Sequence, residues 1–183
     1  MIYLDRVLGG KIMANDLAKT MVDLFSGLTS LKYGKELIVF IISLMPILEL
    51  RGGLIAAALL GLSGIKSFII CFIGNIIPIP FILWFITPLF DRLKKTKLFS
   101  GIVNKLEKKA LNKKEQIEKL QYIGLLLFVG IPLPGTGAWT GSLIAALLDM
   151  DKKKALLYAI LGVVMAGVIM MIVSYGLIDN LIH

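Results

Sequence analysis

Two ionisable residues, Glu49 and Arg51, stand inside an apolar tract within the segment PILELRGG, residues 46–53. Charged side chains at membrane depth are expensive and by default mark an ion or substrate path. A buried carboxyl group can hold a proton, which makes Glu49 a candidate proton carrier. Arg51 keeps its charge and presents a planar fork suited to a phosphate or another anion. The plainer alternative is a structural ion pair that ties the segment to its surroundings. A second unusual segment, GIPLPGTGAWTG at 130–141, interrupts another apolar tract. Pro132 and Pro134 remove backbone donors, while Gly135, Thr136 and Gly137 would let N–H groups come close to a ligand. A helix restarting there turns its positive end and unpaired N–H groups toward the break, which favours an anion. Gly52 and Gly53 open the first segment in the same way, unless they only let helices pack closely. Trp139 either stacks on a substrate or fills space between helices.

These side chains need a scaffold, and composition names its class. The chain has 57% hydrophobic and 17% charged residues, with a mean hydropathy of +0.87. Soluble domains run at about 45–50% apolar and about 25% charged, so this chain is expected to fold in a bilayer. Four apolar tracts, Leu37–Gly61, Ile65–Phe90, Tyr122–Leu148 and Ala155–Ile178, each reach the roughly 20 residues that a spanning helix needs. Asp5, Asp16 and Asp23 interrupt the N-terminus, so no cleavable signal is expected. With His183 as the one histidine and Cys71 as the one cysteine, the sequence suggests no metal centre, cofactor or catalytic residue. Nor is an enzyme expected.

Half of the 20 Lys and Arg residues fall in 91–121. There Leu98, Phe99, Ile102, Val103, Leu106 and Ala110 recur at helical spacing, predicting a basic amphipathic helix on anionic lipid head groups. A solvated linker is the competing reading, and both place 91–121 in the cytoplasm by the positive-inside rule. Charge gathered beside membrane segments speaks against nucleic-acid binding as the reason for the net +8. Residues 1–35 hold a second predicted interfacial helix at 12–25, with Ile12, Met13, Leu17, Met21, Leu24 and Phe25 on one face.

The chain also repeats itself. GGLIAAAL at 52–59 matches GSLIAALL at 141–148 with a constant offset, and each block follows a proline-bearing break and precedes one long apolar tract. The breaks lie at the centres of 36–61 and 122–148. Non-helical backbone at membrane depth is tolerated only where protein buries it or water reaches it. Arms of a dozen residues at about 1.5 Å per residue reach the middle of a core about 30 Å thick. The expected fold is therefore all-α and multi-pass in the cell membrane. It has two inverted repeats, each a re-entrant hairpin (36–61 and 122–148) followed by a transmembrane helix (65–90 and 155–178). Asn75, Pro78 and Pro80 predict a kink in the first span. Four full kinked spans in a parallel repeat form the alternative, and the two readings differ on whether links 62–66 and 150–154 lie on the same side.

LELRGG at 48–53 and GIPLPGTGAWTG at 130–141 resemble the small multidrug export protein family, thought to be related to the DedA, or VTT-domain, membrane proteins. That resemblance covers roughly 36–178 and implies paired re-entrant hairpins. It also implies that Glu49 and Arg51 stand for the acidic and basic membrane residues of such proteins. The function expected is a DedA-like flippase for an anionic lipid or amphiphile, such as a polyprenyl phosphate or phospholipid, coupled to protons through Glu49. The alternatives are proton-driven export of small hydrophobic cations and a structural membrane protein without transport. Partners would be the lipid or amphiphilic substrate and protons, and a protomer this small admits a homodimer.

Overall fold

The computed structural model describes residues 16–95, 100–111 and 120–182, which are helical with no strand among them. A helix α1 at 16–24 and a 3-10 turn at Ser26–Ser30 lead into α2 (Gly34–Leu44) and α3 (Glu49–Leu59). Next come α4 (Gly64–Ile76), α5 (Pro78–Lys94) and α6 (Ser100–Leu111). The second half holds α7 (Gln121–Gly130), α8 (Ala138–Leu147) and α9 (Lys152–Ile182). The core draws on both halves, with Ile38, Ile42, Leu54 and Ile79 from the first and Leu125, Ile144 and Val163 from the second.

Proline chemistry ends the first helix of each pair. Met45 precedes Pro46 and is extended (φ −74°, ψ 139°), and Ile131 precedes Pro132 and is extended too (φ −81°, ψ 120°). A residue before proline is pushed out of the helical region by the pyrrolidine ring. The second helices of the pairs also end alike. Leu62 N–H bonds back to the Ala57 carbonyl after left-handed Gly61, and Met150 N–H bonds back to Ala145 after left-handed Asp149. This is the Schellman arrangement, which satisfies carbonyls that a helix end leaves open.

Each pair folds back on itself. Near the start of α2, the Lys35 ammonium donates to the carbonyl of Leu60, just past the end of α3, at 2.9 Å. Near the start of α7, the Tyr122 hydroxyl accepts from the N–H of Asp151, just past the end of α8, at 3.2 Å. The arms come this close because glycine occupies the contact. A Cβ on Gly53 would lie 2.8 Å from Cys71 Sγ and 3.0 Å from Ser43 Cβ, and one on Gly141 would lie 2.7 Å from Val129 Cγ2.

α9 measures the distance between the two openings. Its first turns lie at the second opening, where the Tyr122 and Tyr158 rings sit 5.5 Å apart and Lys154 caps the Tyr122 ring. Its far end lies at the first opening, where the Tyr175 hydroxyl is 3.0 Å from the Leu62 carbonyl and 2.8 Å from the Ser67 hydroxyl. From Asp151 to Tyr175 a helix rises about 36 Å at about 1.5 Å per residue. So the openings are at opposite ends of the body.

Gly64–Leu93 and Lys152–Gly176 are long and apolar enough to cross a membrane. Along the first, Ile65, Ile69, Ile73, Ile77, Phe81, Phe85 and Leu89 form an exposed apolar line at four-residue spacing. Where the sequence predicts a kink, the helix is interrupted at Ile77, between α4 and α5, because Pro78 and Pro80 have no N–H to continue the ladder, while Ile77 itself keeps helical angles. Two expectations change. The second helices begin at Glu49 and Ala138, earlier than the LIAA blocks implied, so Arg51, Gly52, Gly53 and Trp139 belong to helices. And α1 turns Leu17 and Met21, with Phe25 beyond it, onto the core around buried Ala18, while Leu24 of the same expected face stays exposed; Ile12 and Met13 lie outside the described residues. Of segment 91–121, α6 is described, while 96–99 and 112–119 lie outside.

Candidate functional site

The two breaks meet, and hairpin one supplies the charges that close the helix ends of hairpin two. Glu49 is 5% exposed, and its carboxylate accepts from the N–H groups of Ala138 (3.0 Å to Oε2) and Trp139 (3.0 Å to Oε1). Those are the first two residues of α8. The residue before them, Gly137, makes no side-chain cap, so the orphan donors and the positive helix end fall to Glu49. Glu49 reaches them from an unusual backbone. Its φ is +51°, a left-handed conformation that costs a residue with a Cβ about 1–2 kcal/mol. A regular helix would turn residues 49 and 51 away from each other. Left-handed Glu49 instead lets both side chains reach hairpin two.

Arg51 closes the opposite helix end. Its Nη1 donates to the Leu133 carbonyl at 2.7 Å, and its Nη2 to Thr136 Oγ1 at 3.1 Å, with longer contacts to Ile131 (3.3 Å) and Val129 (3.4 Å) carbonyls. These carbonyls belong to the last turn of α7 and the residues beyond it, where helix carbonyls lose their partners and partial negative charge gathers. Pro132 and Pro134 create this surplus of acceptors by contributing no N–H. Thr136 gathers the same loop, its hydroxyl lying 2.8 Å from the Leu133 carbonyl and 3.0 Å from that of Ile131.

Trp139 works in the other direction. Its indole N–H donates to the carbonyl of Leu44, the last residue of α2, at 3.2 Å. Three of the four helix ends at the breaks are therefore closed from the opposite hairpin. No ion pair joins Glu49 to Arg51 among the described residues. Their partners are backbone groups of hairpin two and the Thr136 hydroxyl, an arrangement that a reading of residue types as a charge pair does not anticipate. Leu44, Ala138 and the carbonyl-bearing Val129, Ile131 and Leu133 are the members that sequence reasoning missed. Ala138 carried a signal, because the Glu49–Ala138 bond spans 89 residues, the same offset that aligns the two LIAA blocks.

Gly137 makes the approach feasible. Its φ is +136°, open to glycine and closed to most residues, and a Cβ there would lie 2.2 Å from Glu49 Oε2. Gly135 (φ +76°) forms the turn before it. Gly52 has the Leu48 side chain where its own Cβ would be, and Gly53 serves the contact between the arms of hairpin one. Around the clasp, Ile47 at the first break and Ile131 at the second are exposed, as are Pro134 and Gly135.

A family model described as "Putative small multi-drug export protein" matches residues 49–169. The match begins at Glu49, just past the first break, and takes in the second. No curated protein and no solved structure matches the chain.

Proposed function

Because the chain belongs to the small multi-drug export protein family and is a membrane protein, we propose that it moves an amphiphile with an anionic head group across the bilayer. In this reading the two fold-back pairs are re-entrant hairpins of an inverted repeat, and their breaks meet near the bilayer midplane. Openings at opposite ends of α9 support the inversion. Matched helix ends and a hydrogen bond between equivalent positions Glu49 and Ala138 support the repeat itself.

The observation that carries the function is the seat of Glu49. A carboxylate occupies the place where the N–H groups of Ala138 and Trp139 would hold an anion from outside the chain. Uptake of a proton removes the charge from Glu49 and weakens its hold on both donors. The anionic group of a substrate then takes the vacated donors, and loss of the proton restores Glu49 and expels it. Arg51 stays on the carbonyls of hairpin two throughout and keeps that loop formed. A kinship with DedA-type lipid flippases belongs to this proposal, as does a cytoplasmic position for 91–121 in the cell membrane. A homodimer is compatible with it.

One observation favours a second reading, export of hydrophobic cations as the family's description suggests. Arg51 is neutralised locally by carbonyls, which leaves Glu49 as a counter-charge for a cation. The two readings separate in proteoliposomes under a pH gradient, with a short-chain fluorescent phosphatidylglycerol as one probe and ethidium as the other. The proposal expects pH-dependent movement of the anionic lipid by the native protein, and no pH dependence in Glu49→Gln. Movement of ethidium alone supports the cation exporter. If neither probe moves, and Arg51→Ala changes nothing, the protein is structural.

A further inference from the structure

The described part of the basic segment, α6, presents three different faces. Val103 is 3% exposed, turned inward where α6 packs against α5 and α8. Ser100 and Glu107 are half-buried on the same side. Ile102 and Leu106, one turn apart, are 57% and 46% exposed. Asn104, Lys105 and Lys108 are exposed as well. At about 100° per residue, the pair Ile102 and Leu106 lies roughly a quarter turn from Val103. The exposed polar residues occupy the remaining arc. This differs from the single apolar stripe expected of the sequence: one part of the stripe is spent on the body, and another is left uncovered.

We infer that α6 is docked along the flank of the body at the level of the lipid head groups, on the face where hairpin two opens. There it seats Ile102 and Leu106 in an anionic bilayer and holds Lys105 and Lys108 at the phosphates. Its position along the chain fixes that face. α4 begins beside the first opening, α5 continues the same span away from it, and α7 starts at the second opening; α6 lies between α5 and α7 in sequence. Lys152, Lys153 and Lys154 are exposed on that same face at the start of α9, beside exposed Asp149 and Asp151, so with Lys105 and Lys108 the basic residues outnumber these acids there and favour anionic lipid. An apolar pair beside lysines, with a third face anchored to protein, fits a boundary between protein, lipid and water. A water-surrounded linker would leave Ile102 and Leu106 uncovered for no gain, and a protein partner would have to match a strongly basic rim. The inference does not depend on what the protein transports.

Single cysteines at 102, 104, 106 and 108 in a Cys71→Ala background, spin-labelled in vesicles, test it. The vesicles are phosphatidylcholine alone or an equal mixture with phosphatidylglycerol. In the mixture, labels at 102 and 106 should be relaxed by oxygen and those at 104 and 108 by a water-soluble nickel chelate. Each lysine near an anionic surface contributes roughly a fivefold preference, so Lys105→Gln with Lys108→Gln should lower the ratio of lipid-exposed to water-exposed label at 102 and 106 by roughly 25-fold. Chelate access at all four positions overturns the inference in favour of a solvated linker. Spin–spin broadening at 102 and 106 overturns it in favour of a second copy of the chain. Normal oxygen access that ignores phosphatidylglycerol and the lysine changes overturns the role of charge.

Discussion

Gly137→Ala is the sharpest probe of the clasp between the hairpins. The substitution has two separable costs. At φ +136° the new side chain suffers backbone strain of about 1–3 kcal/mol. Its Cβ would also stand 2.2 Å from Glu49 Oε2, 2.7 Å from Cδ and 2.9 Å from Oε1, so the carboxylate must leave. Departure forfeits the N–H bonds from Ala138 and Trp139, at about 1.5 kcal/mol each for bonds to a charged group, or about 3 kcal/mol together. Glu49→Ala forfeits the same two bonds by another route. The double variant loses them once, so the two single losses should exceed the combined loss by about 3 kcal/mol. For a chain of this size 1 kcal/mol corresponds to roughly 2–4 °C in melting temperature, so the non-additivity should be about 6–12 °C. Thermal unfolding in detergent, followed by tryptophan fluorescence, reads all four corners of the cycle. Independent sites add within about 0.5 kcal/mol. Additive losses within that margin would refute the placement of Glu49 over the start of α8.

Arg51→Lys keeps the charge but loses the fork that spans Leu133 and Thr136; it should lower stability by about 2 kcal/mol. Arg51→Met leaves those acceptors stranded and should lower it further. Equal melting of both variants with the native protein would show that the guanidinium does not hold the second loop. Cysteines replacing Ser63 and Asp151 in a Cys71→Ala background should react with an impermeant maleimide from opposite sides of sealed vesicles. Labelling of both from one side would contradict openings at the two ends of α9.

Much of the architecture was legible along the chain because its causes are local. Pro46 and Pro132 disfavour helical angles at Met45 and Ile131, and with the glycines beside them they let both breaks be placed from residue types, although Pro88 is accommodated inside α5. Long apolar runs report α4 with α5 and α9 because bilayer thickness sets a length. The like ends of α3 and α8 go beyond what the repeat of GGLIAAAL and GSLIAALL foretold, since the links that follow the two blocks differ in sequence. Helix starts were harder. Glu49 begins α3 in a left-handed conformation that no neighbour demands, and it is held there by contacts with hairpin two.

What the sequence determined by itself was the list of parts: apolar helices, two proline-ended breaks, and a carboxylate and a guanidinium two residues apart. The tertiary structure alone decided what those charges face. From one dimension Glu49 and Arg51 read as partners for each other or for a ligand. Folding sets them against the two ends of a broken helix far along the chain, Glu49 on the N–H groups of α8 and Arg51 on the carbonyls after α7. The physical reason is that the groups needing compensation are main-chain dipoles, identical at every residue. They become charged sites only where a helix stops, and they find a partner only through the packing that brings a distant side chain to that point.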